Sequence, residues 1–255
     1  MLPELTPQEM QRYSRHLILP GLGLQGQQKL KAASVLIVGT GGLGSAVSLY
    51  LAASGVGHIG IVDQDVVDFS NLQRQVIHST DMVGQPKVFS AKQRMLAINP
   101  EIQVRTYQER FTPDNAMQIS RDFDILVDGT DNFATRYLLN DVAVLTGKPY
   151  VFGAIANYEG QASVFNVGDG PCYRCIFPNI PPSEKPVQLG VFNPLPGTIG
   201  TIEASEVIKL ITGVGSPLVG RLLLYDALEM SFQIIQMRKN PHCKICGEKP
   251  EITSL

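Results

Sequence analysis

The sequence predicts an α/β protein built on a doubly wound, mostly parallel sheet that continues into antiparallel strands. Short apolar runs alternate with helical patterns from about residue 34 to residue 153, which is typical of right-handed strand–helix–strand units. Beyond residue 160 the strand-like runs follow one another without that alternation. The four cysteines occur as two pairs, one on each side of the last strands, and set the second half of the chain apart.

The composition excludes several classes of protein. Of the 255 residues, 44% are hydrophobic and 17% charged, so the chain is long and apolar enough to bury a sizeable core. The formal net charge of −2 argues against nucleic acid as a partner. The first twenty residues carry charges and no apolar core segment, so no signal peptide is expected and a cytoplasmic location is predicted.

One uncharged stretch could be mistaken for a membrane span. No Lys, Arg, Asp or Glu occurs between Ala32 and Val62, a distance long enough to cross a bilayer as a helix. Seven glycines are clustered in this stretch, which favours strand, turn, helix, turn and strand instead. We therefore expect no membrane partner.

The first half is expected to contain five strands separated by helices. Thr6, Pro7 and Glu9 form a capping box that opens a first helix, which ends near residue 20. The segment from 64 to 84 is too long for an ordinary connection and is expected to be functional. The elements expected after the first helix are strand 34–39, helix 42–54, strand 58–63, helix 86–98, strand 102–107, a short helix after Thr112, strand 124–128, a helix capped by Asp131 and strand 149–153.

The second half is expected to add strands 160–167, 221–226 and 231–237, with a helix over 198–211. A proline-rich segment from 171 to 196 carries the first cysteine pair. No internal repeat is found, so the whole chain, 1–255, is interpreted as one domain.

A glycine-rich loop joins the first strand to the second helix. Gly39, Gly41 and the following Gly42 and Gly44 fit the pattern G-x-G-x-x-G between a strand and a helix, as in a Rossmann-like dinucleotide site. Such a loop lets the backbone and the helix N-terminus approach a phosphate. Asp63 ends the next strand, where a carboxylate can bind ribose hydroxyls. The alternatives are a tight turn without a ligand, or the same loop in an NAD-dependent enzyme.

Charged and polar side chains follow the strand ends that should meet at this loop. Two cations, carboxylates and a glycine loop fit a triphosphate with Mg²⁺, because cations offset phosphate charge and a carboxylate holds the metal. Each residue taken alone could be a solvated surface side chain. The set comprises Asp65, Asp68, Asn71, Arg74, Gln75, Lys87 and Asp131.

The cysteines form two C-x₂-C motifs, Cys172 with Cys175 and Cys243 with Cys246. Four thiolates from two such motifs suit the closed tetrahedral site of a structural Zn²⁺. A thioredoxin-like redox pair is the alternative for either motif, but it leaves the other motif unexplained. Zinc is therefore the preferred interpretation.

Four short segments together resemble the MoeB/ThiF/HesA adenylyltransferases, relatives of the ubiquitin-activating enzymes. They are Arg-Tyr-Ser-Arg over 12–15, Ser-Asn-Leu-Gln-Arg-Gln over 70–75, Gly-Gln-Pro-Lys over 84–87 and Gly-Thr-Asp-Asn over 129–132. They occur in family order, and the resemblance extends from about residue 5 to residue 247.

The resemblance implies a role for each matching residue. The loop around Gly42 would hold the phosphates of ATP, and Asp63 the ribose. Asp131 would bind Mg²⁺ with Asn132 beside it, and Arg15 would reach into the partner subunit of a homodimer. The residues implied to line the nucleotide site are Ser70, Asn71, Leu72, Gln73, Arg74 and Lys87, and those implied in catalysis are Arg15, Arg74, Lys87 and Asp131.

The resemblance also implies the reaction and its partners. The enzyme would use ATP to activate the C-terminal Gly-Gly carboxylate of a small β-grasp sulfur-carrier protein as an acyl-adenylate, with release of pyrophosphate. The dimer with its carriers would be a heterotetramer, and a separate donor would supply sulfur. The two ends of the chain look most like enzymes of molybdopterin biosynthesis. Thiamine synthesis, tRNA thiolation and protein modification remain open, as do an NAD-dependent oxidoreductase and a non-catalytic zinc-stabilised binding module.

The crossover segment, 179–196, is the candidate cover for the carrier tail. Some family members carry a cysteine there that bonds to the carrier, but 184–187 contains none, so no covalent enzyme–carrier intermediate is expected. Gly153, Ala154 and Ala156 could line the tail channel or could simply pack closely. The implied division is a helical arm over about 5–30, a nucleotide-binding half over about 31–155, and a carrier-binding and zinc half over about 156–250.

Overall fold

The computed structural model describes residues 2–179 and 190–255. Eight strands form one sheet in the order β3-β2-β1-β4-β5-β6-β7-β8. Their bounds are β1 Ser34–Val38, β2 His58–Val62, β3 Gln103–Tyr107, β4 Ile125–Asp128, β5 Tyr150–Ala156, β6 Glu159–Phe165, β7 Arg221–Asp226 and β8 Ser231–Gln236. The predicted α/β class with C-terminal antiparallel strands is confirmed.

The described helices are α1 Pro7–Arg12, α2 Ser14–Leu17, α3 Gly23–Ala32, α4 Gly42–Ser54, α5 Lys87–Ile98, α6 Pro113–Ser120, α7 Phe133–Thr146, α8 Tyr173–Ile176 and α9 Leu195–Thr212. Two short 3₁₀ turns, Phe69–Asn71 and Thr80–Met82, lie between β2 and α5. In the two described ranges, no helix is long and apolar enough to cross a membrane.

Two changes occur along the sheet: the chain reverses its winding at β1, and the strand pairing becomes antiparallel beyond β5. Strands β3, β2, β1, β4 and β5 are parallel, and β5 through β8 are antiparallel. The chain winds outward from β1 to β3 and then returns to place β4 on the other side of β1. Val38, at the end of β1, lies in register with Val62 and with Asp128. The loops that follow these three strands therefore meet at the switch point, where ligands bind in open α/β sheets.

Alternate residues of the central strands enter two separate cores, which is the period of a strand buried on both faces. Val35 and Ile37 pack with α3, α4, α5 and α9. Leu36 and Val38 pack with α6, α7 and the tyrosine of α8. Fully covered apolar strands of this kind explain why β1 and β2 were predicted almost to the residue.

The N-terminal arm differs from the expected single helix. It divides into α1 and α2 at Tyr13, and α3 was expected only as part of the helical arm over about 5–30, not as a separate helix. The Tyr13 ring is buried against Gly55, and its hydroxyl accepts a hydrogen bond from Asn99 Nδ2 at 2.8 Å. This long-range anchor interrupts the helix. Helix α3 has too few apolar residues to produce a helical period in the sequence.

A second correction concerns the start of α7. Asn132, not Asp131, is the N-cap, because its side-chain oxygen accepts a hydrogen bond from the Thr135 amide at 2.9 Å. Both residues are good caps in isolation. The one-residue shift leaves the Asp131 side chain exposed at the switch point.

Candidate nucleotide and metal sites

The glycine loop is a tight turn between β1 and α4. Gly39 has φ of +93°, and a Cβ there would lie 2.5 Å from the Gly129 carbonyl oxygen. A Cβ on Gly44 would collide with the Gly39 carbonyl oxygen. Gly41 precedes the helix without a side-chain cap, so the first amides of α4 are free of such a partner. The loop can therefore bring backbone amides and the positive end of the helix dipole to an anion.

Asp63 shapes this loop directly. Its Oδ2 accepts hydrogen bonds from the Thr40 amide and hydroxyl, both at 2.9 Å, and its Oδ1 accepts from the Asp65 amide at 2.9 Å. Each carboxylate oxygen has two lone pairs, so a ribose hydroxyl could still donate to the half-buried group. Asp63 thus lies beside the glycine loop at the end of β2, as the sequence predicts, and it also holds the loop through Thr40.

His78 is a supporting residue that the sequence analysis missed. Its Nε2 lies 3.0 Å from the Thr40 carbonyl oxygen and its Nδ1 lies 2.9 Å from Ser90 Oγ. Burial lowers the pKa of His78, so the neutral ring donates from Nε2 to Thr40 and accepts at Nδ1 from the serine hydroxyl. A single histidine in the sequence gives no signal for this role.

The segment after β2 uses its polar side chains partly for its own turn. Asp68 Oδ1 accepts from the Ser70 amide at 2.8 Å and the Ser70 hydroxyl at 2.5 Å, and these bonds lower the pKa of Asp68. Asn71 Oδ1 accepts from the Asp68 amide at 3.1 Å. Leu72 is half-buried and Gln73 is exposed. A capped turn therefore holds the part of the segment that was predicted to line the nucleotide site.

Two cations follow β2 on the side of the sheet that carries the glycine loop. Arg74 donates from Nη1 to the Ser70 carbonyl oxygen at 3.2 Å, and its Cγ lies 3.9 Å from the position of a Cβ on Gly42. Lys87 begins α5 with only 6% of its surface exposed, and its Nζ lies 3.1 Å from Asp65 Oδ2. A buried lysine ammonium with one half-exposed carboxylate partner can also bind a negatively charged phosphate oxygen.

Asp131 lies after β4 on the same edge of the sheet. Its side chain is exposed, and in the described ranges no ion pair involves it. One exposed carboxylate at the edge of the sheet that carries the glycine loop fits Mg²⁺, which is usually held by one or two carboxylates plus substrate phosphates. Asn132 uses its Oδ1 as the cap of α7, which leaves the second lone pair of Oδ1 and the amide nitrogen for a ligand.

Arg15 lies at the opposite edge of the sheet from the glycine loop of its own chain. Tyr13, two residues earlier, packs against Gly55 and Asn99, which follow the C-terminal ends of α4 and α5. The 13 residues of α4 span about 20 Å. Arg15 is exposed, and no ion pair in the described ranges involves it. This placement separates Arg15 from the cations of its own chain.

The four cysteines come together although the two motifs are far apart in sequence. The Sγ atoms of Cys172, Cys175, Cys243 and Cys246 all lie within 4.8 Å of one another. Individual Sγ–Sγ distances are 3.3 to 3.8 Å, and the thiols are free of disulfides. Zinc–sulfur bonds of about 2.3 Å in a tetrahedron place sulfurs about 3.8 Å apart, so the donor set fits Zn²⁺. A thioredoxin-like pair would not explain a cluster of four.

The first cysteine motif is fastened to α7. Arg174 makes two hydrogen bonds of 2.7 Å to the carboxylate of Asp141, and the Tyr173 amide donates to Asn140 Oδ1 at 2.7 Å. The hydroxyl of Tyr137 donates toward the carbonyl oxygens at the start of the crossover, Phe177 at 2.9 Å and Asn179 at 2.7 Å. Helix α7 thus connects the surroundings of Asp131 with the cysteine cluster.

The structure describes the two ends of the crossover segment, residue 179 and residues 190–196. Residues 180–189, including the cysteine-free stretch 184–187, lie outside the described residues. Beyond residue 189, Phe192 packs on Tyr158 with ring centroids 5.7 Å apart. Pro196, in the first turn of α9, lies 2.9 Å from the position of a Cβ on Gly42. The end of the segment therefore approaches the glycine loop.

Gly153 has a packing role that the sequence could not reveal. A Cβ at this position would collide with the carboxyl group of Glu203 in α9, so close packing accounts for this glycine. Glu203 is fully buried, neither of its oxygens has a hydrogen-bond partner, and burial raises its pKa well above the ordinary value. Ala154 and Ala156 are half-buried.

Fold and site define the class of α/β protein that carries a glycine-rich loop and a charged site at the switch point of a doubly wound sheet. A model of the ThiF family matches residues 13–245. A sulfur carrier protein adenylyltransferase from Thermus thermophilus is 50% identical over 253 residues, which cover 96% of this chain and 93% of that protein. The chain belongs to the ThiF family, as its sequence motifs indicated.

Other relatives are longer or more distant. The probable adenylyltransferase/sulfurtransferase MoeZ of Mycobacterium tuberculosis is 52% identical over 258 residues, covering 98% of this chain but 64% of that protein. The chain thus spans just under two thirds of MoeZ. A crystal structure of E. coli MccB with MccA-N7isoASN has a TM-score of 0.85 at 28% identity, covering 94% of this chain and 75% of that one.

Proposed function

We propose that this protein is an adenylyltransferase that uses ATP to activate the C-terminal Gly-Gly carboxylate of a small β-grasp sulfur-carrier protein. The observation that carries the proposal is the gathering of the glycine loop, Asp63, Arg74, Lys87 and Asp131 at one edge of the sheet. The half-identical relative from Thermus thermophilus, named for this activity, supports it. Molybdopterin biosynthesis is the proposed pathway.

The reaction forms one bond and breaks another at the α-phosphorus of ATP. An oxygen of the carrier carboxylate attacks the α-phosphorus, the bond to the β-phosphate oxygen breaks, and pyrophosphate leaves with the electron pair. The carboxylate is already ionised, so no protein base is required. Catalysis rests on positioning and on charge stabilisation, with Arg74 and Lys87 offsetting the charge that develops on the phosphates.

Two metals are proposed. Asp131 would hold Mg²⁺, which supplies further neutralisation of phosphate charge when bound. The four cysteines would hold a structural Zn²⁺ whose closed shell leaves no position for substrate. Since those are the only cysteines in the sequence, zinc would leave no free thiol to form a covalent intermediate with the carrier. The proposed division into arm, nucleotide-binding half and carrier-binding half follows from these assignments.

We further propose a homodimer in which Arg15 acts in the site of the partner subunit. Arg15 follows Tyr13, which packs at the far end of α4 from the glycine loop, and α4 is about 20 Å long, so the position of Arg15 supports action in trans. Apolar side chains are exposed both on the arm, at Ile18 and Leu19, and on the segment around the site, at Phe69 and Val76. Two carriers on this dimer would make a heterotetramer, and a separate donor would deliver sulfur.

Pyrophosphate exchange into ATP tests the reaction. Exchange should require the carrier and should disappear with a carrier that lacks its last glycine, because the terminal carboxylate is then misplaced. Exchange independent of any carrier, or tight NAD binding without exchange, would contradict the proposed function. Product analysis by mass spectrometry should show the acyl-adenylate and no adduct on the enzyme.

Mixed dimers test the role of Arg15. Arg15→Ala and Lys87→Ala homodimers should each be inactive, whereas a mixture should regain up to about a quarter of the wild-type exchange rate, because half of its dimers contain one intact site. No recovery in a mixture shown by mass spectrometry to contain mixed dimers would place Arg15 in its own subunit's site or outside the reaction.

A further inference from the structure

The turn between β4 and Asp131 is held by buried side chains that the proposed reaction does not use. Asp128 is fully buried, and its Oδ1 accepts from the Thr130 amide at 2.9 Å and from the Thr130 hydroxyl at 2.6 Å. Its Oδ2 accepts from Arg136 Nε at 3.0 Å and from the Tyr150 hydroxyl at 2.8 Å. Four donors satisfy this carboxylate, which makes the turn a rigid element.

Arg136 closes the arrangement from the first turn of α7. Its Nη2 donates to the Thr130 carbonyl oxygen at 3.3 Å, so one guanidinium contacts both ends of the turn. The side chain lies over the Phe152 ring at 5.2 Å and is almost fully buried. Although burial disfavours the charged form, the neighbouring Asp128 carboxylate raises the pKa of Arg136, so the ion pair persists.

The same turn touches the glycine loop. The Gly129 amide donates to the Val38 carbonyl oxygen at 2.8 Å, and the Gly129 carbonyl oxygen lies 2.5 Å from the position of a Cβ on Gly39. Thr130 therefore lies between Gly129, which contacts the glycine loop, and Asp131. Any change in the shape of this turn alters the distance from the Asp131 carboxylate to the loop.

We propose that Thr130 is a positioning residue. Asp128 and Arg136 hold it by hydrogen bonds, so that the Asp131 carboxylate keeps a fixed distance from the glycine loop. This inference rests on the proposed function, because it assumes that Asp131 binds Mg²⁺ beside the phosphates. Mg²⁺ demands near-ideal octahedral geometry, so its affinity depends on where its one protein ligand is held.

Thr130 is the residue to change because its substitution leaves the buried charges paired. Removing Arg136 would strand the Asp128 carboxylate and could unfold the protein. Thr130→Val removes only the hydroxyl bond and keeps the amide bond and the side-chain shape, while Thr130→Ser keeps the hydroxyl. Thr146→Val is a matched control, since the hydroxyl of Thr146 donates to Val142 at 2.6 Å near the other end of α7.

The experiment measures ATP affinity in excess Mg²⁺ and in EDTA, without carrier. In wild type, Mg²⁺ should tighten ATP binding. Thr130→Val should reduce that enhancement about 10-fold, as substitutions that loosen a metal ligand do, with the affinity in EDTA within about twofold of wild type. Thr130→Ser and Thr146→Val should keep the wild-type enhancement.

Several results would overturn the inference. They are an unchanged enhancement in Thr130→Val, equal weakening with and without Mg²⁺, the same effect in Thr146→Val, or no Mg²⁺ enhancement in wild type. Carrier-dependent pyrophosphate exchange by the wild-type protein tests the proposed function separately. Failure of exchange together with a selective loss in Thr130→Val would reject the carrier reaction and keep the positioning role.

Discussion

The nucleotide region and the cysteine region fix irregular backbone in opposite ways. Around the glycine loop, an aspartate at a strand end accepts a hydrogen bond from the backbone amide two residues later. Asp63 accepts from Asp65 in this way, and Asp128 accepts from Thr130. In the cysteine region, four thiols gather segments that lie about 70 residues apart. The first region is held by many separate hydrogen bonds, whereas the tail with the second cysteine motif is joined to the first motif by one cluster of thiols.

This difference predicts different responses to substitution. A site held by many separate bonds can lose one charge and keep its shape, so function and stability should separate there. A tail joined through one cluster should come loose as a unit when any one thiol is removed. The predictions below test that contrast, beginning with the largest effect.

Lys87→Ala should abolish carrier-dependent pyrophosphate exchange, with a loss of about 10³-fold, because a preorganised cation is removed from the phosphates. The melting temperature should change little, since among the described residues the one side-chain partner of the Lys87 ammonium is the half-exposed Asp65 carboxylate at 3.1 Å. Lys92→Ala, in the same helix, is the matched control and should retain exchange. A parallel loss of exchange and of thermal stability in Lys87→Ala would contradict the contrast.

Cys243→Ser should release the C-terminal tail. One thiolate fewer lowers zinc affinity, so metal content should fall and amide hydrogen exchange should rise over residues 238–255. ATP affinity should stay within about threefold, because the glycine loop is held by its own bonds. Ile245→Val, which trims the apolar contacts of the same cluster, should keep its zinc. Loss of ATP binding in Cys243→Ser would show that the two regions are one unit.

Glu203→Gln tests a buried carboxyl group that takes part neither in the hydrogen bonds around the glycine loop nor in the cysteine cluster. Burial raises the pKa of Glu203 in the folded state, so the folded state binds this proton more tightly than the unfolded state. Its contribution to stability is complete below the ordinary pKa of 4.5 and declines as the pH rises above it.

The glutamine variant keeps the shape and cannot ionise. Its stability relative to wild type should therefore improve as the pH rises above about 5, by up to about 1.4 kcal/mol for each pH unit, until the folded-state pKa of Glu203 is passed. Denaturant unfolding at several pH values measures the difference. A difference that stays constant with pH would mean that the Glu203 carboxyl is charged or solvated in the folded protein.

The contrast also explains what the sequence could predict. Strands β1, β2 and β4 and the glycine loop were predicted because buried parallel strands and phosphate loops have local signatures. The pairing of the cysteine motifs followed from their C-x₂-C spacing. His78, Arg136 and Glu203 were missed, because their roles depend on partners that only the tertiary structure brings near. The split of the N-terminal helix at Tyr13 has the same origin.

Asn132 and Asp131 provide the finest test, since they are neighbours with different duties. Asn132→Ala should cost about 1 kcal/mol of stability, because the Thr135 amide at the start of α7 loses its cap. Asp131→Ala should leave stability within about 0.5 kcal/mol, as for an exposed surface residue, while Mg²⁺-dependent ATP binding is lost. Thermal unfolding and ATP binding, measured on both variants, check this division. A stability loss in Asp131→Ala as large as that in Asn132→Ala would restore Asp131 as a cap and weaken its assignment as a metal ligand.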